Sequence, residues 1–141
     1  MILIKKDYEI DRMRKAGRIL AETLLVVEEN VRPGITTSEL DRIAEEFITK
    51  QGAKPSFKGL YGFPSSLCIS VNEQVVHGIP GAYKLKEGDI ISVDCGVLLN
   101  GFHGDAARTF VIGNVAKETR RLVDVTKQAF FEGIQYAKPG N

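Results

Sequence analysis

From Asp7 onward, Ile10, Met13, Gly17, Leu20, Leu24 and Val27 recur at intervals of three and four, the spacing of one apolar helical stripe, with Asp7 placed to cap it. Pro33 and Gly34 stop that helix. Thr36 and Glu39 have the spacing of a capping box, after which Leu40, Ile43, Phe47 and Ile48 line one face of a second helix closed at Gly52. Between Lys54 and Pro64 the residues Pro55, Gly59 and Gly62 break any regular period while Phe57, Leu60, Tyr61 and Phe63 keep the segment apolar. The expectation is a loop that has to bury something. Leu67 to Val71 reads as a short strand, and Gly78-Ile79-Pro80-Gly81 as the turn region after a further extended piece. The β-rich run from Ile90 to Leu99 leads into Asn100-Gly101, the strongest short hairpin signal, so Phe102 to Ile112 is the returning strand. Helical spacing resumes with Leu122, Val125, Ala129, Phe130 and Ile134 and ends at Lys138-Pro139-Gly140.

That last stop repeats the Arg32-Pro33-Gly34 stop of the first helix about a hundred residues earlier. Two readings stay open: a duplicated architecture whose second copy has barely begun, or two helices that share a common stop signal. The chain has 141 residues, enough for one domain or for part of a larger one, and no low-complexity tract or linker interrupts it. Lys and Arg total 19 against 18 Asp and Glu, so a net charge of +1 gives no broad electrostatic reason to expect nucleic acid or an anionic membrane as partner. The apolar run Ile2 to Ile4 is too short for a signal-peptide core or a membrane span, and a cytoplasmic protein is expected. Cys68 and Cys95 belong to no C-x-x-C pair and read as small reduced thiols rather than a disulfide or zinc framework.

Candidate chemistry lies in the hairpin. With a two-residue type I′ turn at Asn100-Gly101, Leu99 faces Phe102, Gly96 faces Asp105 and Asp94 faces Ala107. Asp94 and Asp105 then share a face as diagonal neighbours, with Val93, Cys95 and Val97 on the other, and Gly96 leaves room opposite Asp105. Two converging carboxylates inside an apolar hairpin repel unless a cation sits between them, and their oxygens suit Mn, Fe(II), Co or Zn. The competing reading is a solvated face carrying two ordinary surface charges. His77, in Val75-Val76-His77-Gly78-Ile79-Pro80, reads either as a hydrogen-bonded structural residue or as a catalytic one. His103 falls on the Asp face in the simple register, unless a bulge near Gly104 moves it.

The segment Cys68 to Pro80, followed by Glu87-Gly88-Asp89-Ile90 to Asp94-Cys95-Gly96 and Gly101-Phe102-His103-Gly104-Asp105, resembles the type I methionine aminopeptidases of peptidase family M24 over essentially the whole chain. The resemblance implies an α/β (α+β) pita-bread fold in which residues 1–141 are the amino-terminal part of a single catalytic domain, the first of two pseudo-symmetric halves whose strands form one curved antiparallel sheet covered by helices. It implies two divalent ions, with Asp94 and Asp105 as ligands and Asp105 bridging. It implies that His77 hydrogen-bonds the scissile amide and steadies the tetrahedral intermediate, and that Phe57, Leu60, Phe63 and Cys68 line the methionine pocket. The expected partners are the N-terminal Met peptides of nascent proteins, near the ribosome. The family's remaining ligands, a His and two Glu, and its general base have no counterpart among these 141 residues. The rival reading is a non-catalytic fragment that binds peptide or a partner chain through the same pocket.

Overall fold

The hairpin forms as its turn residues dictate. Asn100 and Gly101 both adopt left-handed backbone, φ 51° and 83°, as a type I′ turn requires, joining β3 (Ile90–Leu99) to β4 (Phe102–Val111). The pairing runs without a bulge from Leu99↔Phe102 to Ile90↔Val111, with Gly96 opposite Asp105 and Asp94 opposite Ala107 as expected. A computed structural model describes residues 3–141; Ile2 of the short apolar run lies outside them. β4 occupies one edge of β3, and the other edge pairs antiparallel with β2 (Leu67–Val71) and with a two-residue strand, β1 (Lys54–Pro55). Sequence periodicity is blind to β1, because a two-residue strand has no period and Pro55 brings no N–H.

Helix α1 (Asp7–Asn30) buries Ala16, Leu20, Thr23, Leu24 and Val27 and packs along β3 and β4. Its N-cap is Lys6 rather than Asp7: the Glu9 carboxylate accepts the Lys6 backbone N–H at 2.7 Å, and Asp7 becomes the first helical residue, where a negative charge suits the helix dipole. Helix α2 (Thr37–Lys50) opens on the expected capping box, with Glu39 N donating to Thr36 Oγ1 at 3.1 Å and Thr36 N donating to Glu39 Oε2 at 2.8 Å. Its Leu40, Ala44 and Ile48 join Ile91, Val93, Cys95 and Val97 in a single core between helices and sheet. At Gly104 the hairpin meets α1 so closely that a Cβ there would lie 3.0 Å from Gly17 N. Helix α3 (Lys117–Ile134) buries none of its residues and exposes Leu122, Val125, Phe130, Phe131 and Ile134.

The further extended piece expected before Gly78 is absent. The backbone leaves β2 through a turn, Gln74 N to Val71 O at 3.0 Å, and Asn72 and His77 both take positive φ, which no strand accommodates. Asn72 earns its left-handed conformation by bonding: its Nδ2 donates to Asp89 Oδ1 at 2.9 Å and its Oδ1 accepts from Ile90 N at 3.0 Å. Asp89 also accepts from Tyr83 OH at 3.0 Å and Lys86 N at 2.9 Å. Burial pushes the Asp89 carboxyl up, but these three hydrogen bonds and the Lys86 charge outweigh it and hold its pKa below the ordinary 3.8. A depressed folded-state pKa contributes stability that is present above the unfolded value and disappears as pH falls through the folded one. Asp89→Asn should therefore cost roughly 1–3 kcal/mol at neutral pH. Urea titrations of both proteins should find that gap narrowing once the pH drops below about 4; a gap that stays constant to pH 2 would show that the charge is not what matters.

Candidate functional site

Strand alternation divides the sheet into two chemistries. One face carries Ile91, Val93, Cys95 and Val97, all fully buried against the helices. The other carries Cys68 and Ser70 of β2, Ser92, Asp94, Gly96 and Leu98 of β3, and His103, Asp105, Ala107 and Thr109 of β4. Asp94 and Asp105 thus occupy the same face as diagonal neighbours, two residue pairs apart on the ladder. Asp94 is half-buried, and its Oδ1 has no hydrogen-bond partner. Burial first, then the charge of Asp105, raises the Asp94 carboxyl above its ordinary value of 3.8, with His77 acting in the opposite direction.

Gly96 sits between the two carboxylates for a steric reason. A Cβ there would come within 2.7 Å of Phe57 Cε1 and 2.8 Å of Ser56 Cβ. The Phe57 ring therefore lies directly on bare β3 backbone, opposite Asp105. Cys68 faces Asp94 across the β2–β3 ladder and is 7% exposed. Burial, followed by the charges of Asp94, Asp105 and Asp41, pushes its thiol up to about 11, so it presents a neutral, polarizable wall rather than a nucleophile. Cys95, in the core, is pushed up to about 12 by burial and the same carboxylates. Of the other pocket candidates, Phe63 is half-buried, while Leu60 is 52% exposed in a single 3-10 turn, Leu60–Gly62, whose Tyr61 is fully exposed. Both ends of this loop are tied to α2. Lys58 Nζ bonds both Glu45 oxygens, at 2.6 and 2.7 Å, and Asp41 Oδ1 accepts from Ser66 N and Leu67 N at 2.9 and 2.7 Å.

His77 is exposed and left-handed, φ 57°. Its neighbour fixes it: Gly78 N donates to Ser70 Oγ at 3.1 Å, Ile69 N donates to Gly78 O at 2.8 Å, and a Cβ on Gly78 would fall 2.2 Å from Ile69 O. Only glycine passes so close to β2, which carries the His77 loop along the site edge of the sheet. His103 stays on the Asp face because no bulge intervenes, and its Nδ1 shares a 2.9 Å hydrogen bond with Ser56 Oγ. Sequence reasoning missed Ser56 entirely. It lies in a loop distant in sequence from its partner, and nothing local marks it.

The donor set fits a divalent cation. Asp94, half-buried with an unpartnered Oδ1, and Asp105, exposed on the same face, offer hard anionic oxygens that suit such an ion. It is also a partial set, since among the described residues no group of three or more His, Cys, Asp or Glu converges. Two concavities of about 460 and 310 Å³ lie instead along α3, lined by residues such as Arg120 and Asp124, and include none of the candidate site residues.

Residues 11–141 match the metallopeptidase family M24 model. A methionine aminopeptidase of Clostridium perfringens is 67% identical over 141 residues, covering 100% of this chain and 57% of the relative. Methionine aminopeptidase 1 of Bacillus subtilis is 54% identical, covering 99% and 56%. The chain thus spans about half the length of the curated relatives it matches. The crystal structure of a Thermotoga maritima methionine aminopeptidase superposes with a TM-score of 0.95 at 42% identity, over 99% of this chain and 57% of that one. A Pyrococcus horikoshii prolidase shares the fold at 24% identity, with a TM-score of 0.86 over 97% of this chain and 38% of that one.

A half-buried charge facing another charge is a cost in the absence of metal. Asp94→Asn should raise the thermal midpoint of the 141-residue chain in EDTA, monitored by circular dichroism. A midpoint lowered as far as by truncating a core residue such as Leu40 would mean that the Asp94 carboxylate is structurally satisfied after all.

Proposed function

This chain belongs to metallopeptidase family M24, and from that premise we propose that it forms the amino-terminal side of a methionine aminopeptidase, which removes the initiator methionine from nascent polypeptides. The observation that carries the reading is the Asp94–Asp105 pair, set on one face of a hairpin whose other face is core, with an Asp94 oxygen buried and unpartnered. These two residues would hold divalent ions, Mn, Fe(II), Co or Zn, through their carboxylate oxygens. When bound, such ions supply Lewis acidity for hydrolysis of the first peptide bond.

The remaining roles fall to this chain's own side chains. His77, held at the site edge by Gly78 and Ser70, donates a hydrogen bond to the scissile amide and steadies the charge that develops on it. Phe57, Leu60, Phe63 and Cys68 receive the methionine side chain, whose unbranched thioether suits soft and aromatic walls. The other ligands and the general base would come from residues outside this chain, which spans about half the length of its relatives, and the apolar face that α3 leaves uncovered supports a further layer packing there. The partners are the N-terminal Met peptides of nascent chains close to the ribosome, and the compartment is the cytoplasm. No helix among the described residues is long and apolar enough to cross a membrane.

Release of methionine from Met-Ala-Ser tests the reading. In the chain joined to its second half, Asp94→Asn or Asp105→Asn should cut turnover by roughly a hundredfold or more while leaving circular dichroism unchanged. The 141-residue chain alone should release none above background with any of the four metals. Near-normal turnover by either variant at saturating Mn or Co, or robust turnover by the chain alone, would contradict it.

A further inference from the structure

We propose that Ser56 and His103 form a positioning pair that holds Phe57 on Gly96 and so sets the wall of the side-chain pocket beside the carboxylates; this rests on the reading of that face as a methionine-selecting site. Residue 56 is held to both strands of the hairpin at once. Its N–H donates to Gly96 O of β3 at 2.9 Å, and its hydroxyl bonds His103 Nδ1 of β4 at 2.9 Å. The next residue is Phe57, whose ring carbons Cε1 and Cζ lie 2.7 and 3.0 Å from where a Gly96 Cβ would be. The ring thus rests on glycine backbone between the site's two strands, and its height and tilt depend on where residue 56 is pinned.

The segment has few other anchors there. β1 is two residues long and one of them is Pro55, which donates no ladder hydrogen bond. Past Phe57 the chain is next tied at Lys58, to Glu45 of α2, and then rises into the exposed turn at Leu60. Phe57 is therefore held on one side by α2 and on the other by the Ser56 contacts. His103 is placed to serve because it stands on the Asp face opposite Leu98, two residue pairs along the ladder from the Gly96–Asp105 pair. Neither Ser56 nor His103 is assigned a contact with the reacting atoms; both act through Phe57. The expected consequence is selectivity rather than chemistry, because an apolar pocket discriminates between side chains of similar size by contacts that fail when a wall shifts.

The test uses the chain joined to its second half. The measurements are kcat and KM for Met-Ala-Ser and Leu-Ala-Ser, together with calorimetric affinities for L-methionine and L-leucine. Ser56→Ala and His103→Ala should each reduce the Met-to-Leu preference roughly fivefold, the fold-change of one ordinary hydrogen bond, mainly through KM and ligand affinity. The double variant should lose no more than either single one, since both remove the same contact. His103→Asn, whose amide presents a polar atom near the position of Nδ1, should recover most of the preference. Ser56→Thr keeps the hydroxyl and should retain it, whereas Ser56→Val, of similar shape, should not; this pair decides the matter if the alanine variants fold poorly. An active enzyme whose variants keep the wild-type Met-to-Leu ratio and L-methionine affinity would overturn the inference alone, as would additive losses in the double variant or a kcat loss equal for both peptides. A wild-type protein that releases no methionine would overturn the proposed function and this inference with it.

Discussion

The alternation of the β3–β4 hairpin is the constraint on which the site depends. A strand's side chains point to opposite faces in strict succession, so a one-residue slip between these strands would carry Asp105 to the helix side and the buried Phe110 to the open side. The Asn100-Gly101 turn holds the register at one end, where both residues supply the positive φ that a type I′ turn needs. Along the strands, burial of Ile91, Val93, Cys95 and Val97 against α1 and α2 holds it again. Apolar packing on one face thereby fixes where the carboxylates stand on the other, which is how a core with no catalytic role specifies a site.

The site face departs from what folding alone would favour. Two carboxylates lie near each other, one with an unpartnered buried oxygen; Gly96 interrupts a β-rich strand; and His77 adopts a left-handed conformation that a histidine takes only at a cost. Each departure has a local compensation. Phe57 fills the space over Gly96, and Ser70 and Ile69 hold Gly78 so that His77 keeps its place. At the carboxylate pair the compensation is incomplete: Asp94 Oδ1 has no partner among the described residues, and burial with the Asp105 charge outweighs the opposing charge of His77, a demand that a cation would meet.

Much of this was legible in the sequence because its signals are local. The hairpin register, the common face of Asp94 and Asp105, and the Thr36–Glu39 cap all follow from residue types a few positions apart, and the structure places them as those signals require. The face of His103 was legible up to the question of a bulge, and the unbroken ladder answers it. What was not legible depends on long-range contact. β1 exists because Lys54 and Pro55 lie beside Leu98 and Val97, the Ser56–His103 bond joins residues 47 apart, and the Asp89 cluster gathers side chains from three separate segments. The extended piece expected before Gly78 failed for a related reason: its apolar residues Val75 and Val76 stay exposed in a loop fixed by bonds to β2, and no strand lies beside them.

Whether Asp94 and Asp105 hold divalent metal is read directly by anomalous diffraction from crystals of the chain joined to its second half and grown with zinc or manganese. An anomalous peak is expected on the site face of the hairpin, within about 2.2 Å of a carboxylate oxygen from each residue. Ordered, empty carboxylates with the metal bound elsewhere in the same crystal would contradict it.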